Sequence, residues 1–429
     1  MKKTLTMILI VLVAITQFAF ANGSSETAAK SQDVLEFWCY WDKGHPNDLW
    51  MRQIIKDFEK ETGIKVNYSN PGTSILLSVS PAIIDGNAPD LIDGHCIEMI
   101  ASLGGEGLLL SQEDLYKGKT WDGSQTFEDQ FLEGTTTQGV YNGERWFVPY
   151  CAHTSCIHYN QKEFEKRGWT EPKTWTEFTA LCEQLLAEGV APIGLDNTST
   201  YNAYWFYWFM ERICGTGKFW ELATDPTGKA WDNPDVLKAA QMVTEVSKYF
   251  IKGWQGNVWP AGQIDWAQGA AVFHMDGSYI ANELFDKVDD DFMFKAFPFP
   301  MVEGGKGDPR SKEISVMGFS VPKDAKHPEL AKKFIQFALQ PKYQIALMET
   351  YYPTTLVGLE DSVPDYIKDV YAIMTSEGPV HMLYDGLQAR GEWWNIVFYP
   401  VKNKLIYGNI DAETFVKTMK ADTIAYLKK

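Results

Sequence analysis

Strand-like and helix-like segments alternate in this sequence, and the alternation starts twice. Residues 34–41 read as a strand. Pro46 opens a helix whose apolar residues Met51, Ile54, Ile55 and Phe58 fall at i, i+3, i+4 and i+7, and Gly63 stops it. Ile64, Val66 and Tyr68 then alternate as a strand, a second helix is expected over 74–85, and 89–92 reads as the next strand. This strand–helix–strand order is the grammar of an open α/β sheet. It restarts at Trp146, where an extended stretch reaches Tyr159. Thr174 and Glu177 form a T-x-x-E capping box ahead of Phe178, Leu181, Cys182 and Leu185, which share one helical face. Residues 191–195 and 270–274 are expected strands, 201–214 an aromatic helix, and Pro234 opens a further helix to about Phe250. Residues 314–321 look extended, 328–340 amphipathic, and the tail from Pro364 mainly helical. Two such blocks imply two lobes, and ligands of open α/β sheets bind beyond the carboxyl ends of the strands.

The amino terminus predicts export. Lys2 and Lys3 precede a mainly apolar run to Phe20, interrupted by Thr16 and Gln17, and 19–21 offer small residues at signal-peptidase positions. Residues 1–21 are expected to be a signal peptide and 22–33 a flexible tether. The first cysteine is Cys39, so no cysteine stands at the cleavage point for a lipid anchor. The roughly 400 residues that remain exceed one ordinary core and suggest about two domains. The formal charge is −17, more negative still without Lys2 and Lys3. Such a surface repels nucleic acid and anionic lipid. Six cysteines in an exported chain permit disulfides. Cys151 and Cys156, five apart in an extended stretch, face opposite ways, which favours buried thiols there.

Enzyme signatures are missing. The sequence holds no GxSxG elbow, P-loop, GxGxxG after a strand or HExxH, and no CxxC or HxxxH spacing for zinc, so neither cofactor nor metal is expected. Carboxylate pairs such as Glu98 with Glu106, or Asp289, Asp290 and Asp291, read as solvated faces. The informative feature is aromatic content, 16 Trp, 20 Tyr and 24 Phe. A flat ring face suits the apolar C–H face of a sugar, at ~25 cal/mol per Å² of area buried. Each hydroxyl then needs a carboxylate, amide or backbone partner, because an unpaired buried polar group costs ~1–3 kcal/mol. Aromatic residues stand beside such groups at Trp38, Tyr40, Trp41, Asp42 and Lys43; at Asn197, Thr198, Tyr201, Asn202, Tyr204 and Trp205; at Asp276, Gly277, Ser278 and Tyr279; and over 390–395.

Several segments resemble one family. IIKDFEKETGIKVNY (54–68), NAPDLI (87–92), NGERWFVPYCAHTSCIHYNQKEFEKRGWTEPKTWTEF (142–178), AAVFHMDGSYI (270–280) and VPKDAKHPELAKKFIQFAL (321–339) are similar, in order and spacing, to the bacterial extracellular solute-binding proteins of the carbohydrate branch, the maltose-binding-protein-like group. The resemblance implies a type II periplasmic-binding-protein fold, two α/β lobes with a ligand cleft between them. Lobe 1 is expected over 34–150 plus 313–354 and lobe 2 over 151–312 plus 355–429, with crossings near 148–152, 311–316 and 352–355. It implies a monomeric receptor, in the periplasmic space or on the outer side of the cytoplasmic membrane, that hands a carbohydrate to the permease subunits of an ABC importer. Residue by residue, it carries ligand contact to Trp41, Asp42 and Lys43; to Gly94, His95 and His153, where the maltodextrin pattern is departed from; to Tyr201 with Tyr204 or Trp205; to Asp276, Gly277, Ser278 and Tyr279; to Gly318; and to one of Trp393 and Trp394. The competing readings are a receptor for a polyamine or polyol, a secreted carbohydrate-active enzyme, and a sensor that docks to a membrane receptor. A phosphate ester would call for clustered Arg or Lys, which the candidate loops lack.

Overall fold

The strands that position the site are, in chain order, β1 (Val34–Trp38), β2 (Lys65–Ser69), β3 (Leu91–His95), β4 (Val148–His153), β5 (Ser155–Asn160), β6 (Ala191–Gly194), β7 (Ala271–Gly277), β8 (Phe294–Phe297), β9 (Lys312–Glu313), β10 (Ser315–Ser320) and β11 (Val380–His381). They belong to a computed structural model that describes residues 34–389 and 392–429. The expected signal peptide and tether, and Arg390, lie outside the described residues.

Two sheets form, one for each block of the sequence. The first runs β2-β1-β3-β10-β4, with β1 parallel to β2 and β3, and β10 antiparallel to both β3 and β4. The second runs β8-β5-β7-β6, with β6 parallel to β7 and β5 antiparallel to its neighbours. Helices are built as the sequence indicates. In α1 (Pro46–Thr62) the His45 ring accepts the Asn47 N–H, Pro46 takes the first turn, and Gly63 closes the helix in the left-handed conformation. Met51, Ile54, Ile55 and Phe58 of α1 are buried against the first sheet. In α2 (Trp175–Ala187) both halves of the capping box are made. The expected aromatic helix divides at Ala203 into a short turn and α3 (Tyr204–Ile213), every residue of which is buried. All six cysteines are buried thiols. Among the described residues, no helix is long and apolar enough to cross a membrane.

Three stretches connect the lobes. The first is Thr154, between β4 in one sheet and β5 in the other. Its N–H donates to Ser278 Oγ (3.2 Å), and Ser278 N–H donates back to its carbonyl (2.9 Å). The second is Ile314, between β9 and β10. The third is longer than the sequence suggests. At 352–355 the chain lies along the first sheet, with Ala152 N–H bonded to the Pro353 carbonyl (3.0 Å). Leu356, Leu359, Val363 and Ile367 then stay buried in the first lobe's core, and Val370 and Met374 pack with Ile314 and Val316. β11 pairs with β9, and Tyr384 and Leu387 are the first buried residues after it to join the second lobe's core. The packing thus moves this boundary well past 355, because the apolar residues of 356–367 bury themselves beside Phe131 and Tyr150.

Candidate functional site

A cavity of about 400 Å³ opens between the lobes. The first lobe supplies Tyr40, Trp41, Asp42, His45, Thr73, His95, Ile97, Glu98, Gln138, His153 and Met317. The second supplies Thr200, Tyr201, Tyr204, Trp259, Gly277, Tyr279 and Glu283. The connecting stretches supply Thr154, Glu313, Ser315, Val316, Tyr352, Met382, Leu383 and Gln388. Among the described residues, no Lys or Arg lines it.

The aromatic wall of the first lobe hangs on one buried carboxylate. Asp93 accepts the Tyr40 N–H (2.7 Å) and the Tyr150 hydroxyl (2.8 Å), while Tyr150 Oη accepts the Trp41 indole N–H (2.9 Å). Burial pushes the Asp93 carboxyl up to about 6, against the lowering pull of those donors. Trp41 also stacks on His45 at 4.6 Å and 15°. Tyr352 meets Trp41 edge-on at 5.3 Å and His153 at 5.2 Å.

On the opposite wall Asp276 plays the anchoring part. It is fully buried, accepts the Tyr279 hydroxyl (3.0 Å) and the Gln263 amide (2.8 Å), and holds the Tyr279 ring over Gly277. A Cβ at Gly277 would stand 2.2 Å from Tyr279 Cε1, so only glycine lets that ring lie back against the strand end. Tyr201 stacks beside Tyr204 at 6.4 Å, and Tyr204 beside Tyr384 at 5.6 Å. Tyr279 meets His153 across the cleft at 5.6 Å.

Two carboxylates in the cavity hold protons unusually well. Burial first, and the Asp276 charge second, push Glu283 up to about 7. Burial pushes Glu313 to about 7, although it accepts the Ser155 N–H (2.6 Å) and the Ser315 hydroxyl. Those two bonds tie the first connection to the second. Glu313 keeps its proton in the folded chain to about pH 7, whereas the unfolded side chain loses it near 4.5. This group's contribution is therefore full below 4.5 and falls away as pH rises to 7. Urea unfolding of Glu313→Gln and the parent at about pH 5 and about pH 8 should show the parent losing on the order of 2 kcal/mol more over that interval. Parallel curves would refute the assignment.

His153 is buried and held down to about 3, by burial and then by nearby His95. Neither of its ring nitrogens has a hydrogen-bond partner. A neutral ring with unspent bonding capacity at the cavity wall suits a ligand that can both donate and accept.

The structure brings Trp41, Asp42, His95, His153, Tyr201, Tyr204, Gly277 and Tyr279 to this cavity. The other sequence candidates lie elsewhere, each for a local reason. Lys43 follows Asp42 around a turn and is exposed outside the lining. Gly94 and Gly318 face each other in mid-sheet, and a Cβ on Gly94 would meet Met99 Cε at 2.7 Å and Tyr40 Cδ2 at 3.5 Å. Tyr40 and Met99 thus occupy the space that a larger side chain at 94 would need. Asp276 and Ser278 act from behind, on Tyr279 and on Thr154. Trp205 sits in the second lobe's core against Phe250 and Phe299. Neither Trp393 nor Trp394 lines the cavity. Trp393 donates to Thr423 Oγ1 (3.2 Å) and stacks on Phe398, while Trp394 packs on Tyr384 at 4.6 Å.

Sequence reasoning missed His45, Trp259, Glu283 and Tyr352 as lining residues. Two carried a readable signal. Glu283 is one helical turn from Tyr279, with its N–H on the Tyr279 carbonyl (3.2 Å), and His45 is four residues from Trp41, on which it stacks. Trp259, in the loop ahead of the helix at Ala261–Ala267, had none.

Residues 43–345 match the family model of the bacterial extracellular solute-binding proteins. The chain is 25% identical to the diacetylchitobiose binding protein NgcE of Streptomyces coelicolor over 327 residues, covering 74% of this chain and 68% of that one. It is 23% identical to the multiple sugar-binding protein of Streptococcus mutans over 354 residues, 78% of this chain and 79% of the other. The fold is similar to that of the bacterial solute receptor AcbH, at a TM-score of 0.73 and 17% identity, covering 92% of this chain and 99% of that one.

Proposed function

The chain belongs to the bacterial extracellular solute-binding proteins, and on that footing we propose that its cleft captures a neutral mono- or oligosaccharide outside the cytoplasmic membrane, for delivery to an ABC permease. The observation that carries this reading is the composition of the cavity. Tyr40, Trp41, Tyr201, Trp259, Tyr279 and Tyr352 present ring surface beside Asp42, Glu98, Glu283 and Glu313, with Gln138, Gln388, Thr73 and Thr200 among them. Rings take the C–H faces of a sugar, and carboxylates and amides take its hydroxyls. With no Lys or Arg lining it among the described residues, a phosphorylated or carboxylated ligand would meet carboxylates of like charge there. The names of the two relatives, a diacetylchitobiose binding and a multiple sugar-binding protein, support the same class.

Both lobes supply rings and carboxylates, so a bound sugar would bridge them and favour the closed arrangement. Closure strengthens binding only by the contacts that it adds. The same side chains need no role in bond breaking. The reading is of a receptor that returns its ligand unchanged, acting as a monomer on the outer side of the membrane.

Intrinsic tryptophan fluorescence tests it directly, because Trp41 and Trp259 both line the cavity. A saturable change is expected with at least one neutral sugar from a panel of mono-, di- and oligosaccharides, with the sugar recovered intact. A cavity this rich in carboxylates and rings also suits an organic cation. Saturation by spermidine with a flat response to every sugar would overturn the proposal, and appearance of a hydrolysis product would replace it with an enzyme.

A further inference from the structure

Outside the cleft, a second set of ionisable groups comes together between α3 and the third connection. The ligand-type atoms of Glu211, His381 and Asp385 lie within 4.8 Å of one another, the one such group among the described residues. Glu211 is 1% and His381 6% exposed. Glu211 comes from the last turn of α3, His381 ends β11, and Asp385 follows in a turn.

Tyr207 Oη is in hydrogen-bond contact with both His381 Nδ1 and the Met382 carbonyl, the latter 3.1 Å away. In the tautomer that metal binding requires, the phenol proton goes to the carbonyl, Nδ1 carries the ring hydrogen and Nε2 offers a lone pair. Nε2 is buried, has no hydrogen-bond partner and points at Glu211 Oε2, 3.5 Å away. Glu211 Oε1 is also buried without a partner. In that tautomer a lone pair facing a carboxylate, with a second carboxylate alongside, is repulsive unless a proton or a metal ion lies between them.

We propose that Glu211, His381 and Asp385 form a site for one borderline divalent cation of the Zn²⁺ or Mn²⁺ kind, which pins the third connection between the lobes to α3. Two ligands ~2.1 Å from one ion at a tetrahedral angle stand ~3.4 Å apart, close to the observed separation of Nε2 and Oε2. One imidazole and two carboxylates suit these ions better than Ca²⁺, which prefers an all-oxygen shell. Two carboxylate charges and a neutral imidazole would balance the ion, and the Tyr207 contact is the kind of outer partner that orients a ligating histidine. Asp385 is already placed by the N–H groups of Gly217 (3.2 Å), Phe219 (3.0 Å) and Trp220 (3.2 Å), whose bonds leave lone pairs on its oxygens.

The full chain, stripped with chelator, is titrated with Zn²⁺ by calorimetry and with Mn²⁺ by pulsed electron paramagnetic resonance. One equivalent should bind, and the Mn²⁺ spectrum should show modulation from a single coordinated imidazole nitrogen. His381→Gln should abolish that modulation and weaken binding by more than the ~10–100-fold that loss of an outer partner costs. His95→Gln, which alters the cleft instead, should leave both unchanged. If His381→Gln does not fold, Asp385→Asn carries the affinity comparison. The absence of one-equivalent binding by either ion overturns the proposal, and so does a signal lost with His95→Gln and kept with His381→Gln or Asp385→Asn.

Discussion

Trp259→Ala should weaken sugar binding about 30-fold while leaving the fold in place. The ring lines the cavity yet remains 44% exposed, with its side-chain hydrogen bond going to Glu283 on the same wall. Covering ~80 Å² of ring face with a sugar is worth ~2 kcal/mol at ~25 cal/mol per Å², which is the stated factor. Removing a side chain this exposed should change unfolding free energy by no more than about 0.5 kcal/mol. Titration of variant and parent with the best ligand from the fluorescence panel, alongside urea unfolding, measures both. Equal affinity would place the sugar away from Trp259 and against the first-lobe rings alone. A large loss of stability would mean that the loop around 259 is structural.

Trp205→Ala should give the reverse pattern. This side chain is fully buried among Phe178, Phe209, Phe250 and Phe299, and truncating a core tryptophan costs about 3–5 kcal/mol. The protein that remains folded should bind sugar with nearly parental affinity, because Tyr204, not Trp205, faces the cavity. Trp393→Ala, with its indole bond to Thr423 lost, should behave the same way. Loss of affinity without loss of stability in Trp205→Ala would return this residue to the site.

These two tryptophans show where sequence and structure part. The two-lobed α/β arrangement was legible because helices such as α1 carry a one-sided apolar stripe between capping residues, and strands such as Lys65–Ser69 alternate. The cleft was legible where a side chain follows directly from a strand end, as Trp41, Asp42, His95 and Tyr279 do. It was not legible on α3. The run YWFYWFMERI has no polar face, and every one of its residues is buried. Hydrophobic periodicity therefore could not say whether Tyr204 or Trp205 turns toward the cavity. Trp393 and Trp394 posed the same problem, and both went into the core because Phe398, Thr423 and Tyr384 complete pockets for them there. Trp259 and Tyr352 come from distant loops, and their meeting in one cavity is a property of the tertiary fold alone. The Glu211, His381 and Asp385 cluster was invisible for the same reason, since His381 stands 170 positions after Glu211 in the chain.

The place of β10 in the first sheet has a consequence for how the molecule is made. This strand joins β3 to β4, yet it is separated from β4 by the whole second sheet. A chain emerging from its amino terminus therefore presents the free edges of β3 and β4 for as long as the next 160 or so residues take to appear. Unpaired edges of this kind recruit other strands, and long-range pairing is slow to form. The second sheet, complete by Phe297, can pair its strands first, although the core around it also takes Trp393, Phe398, Phe415 and Met419 from the end of the chain. Until β10 arrives, the first sheet stays divided between β3 and β4. A partner that holds such chains unfolded would have its natural target in those two edges rather than in the finished receptor.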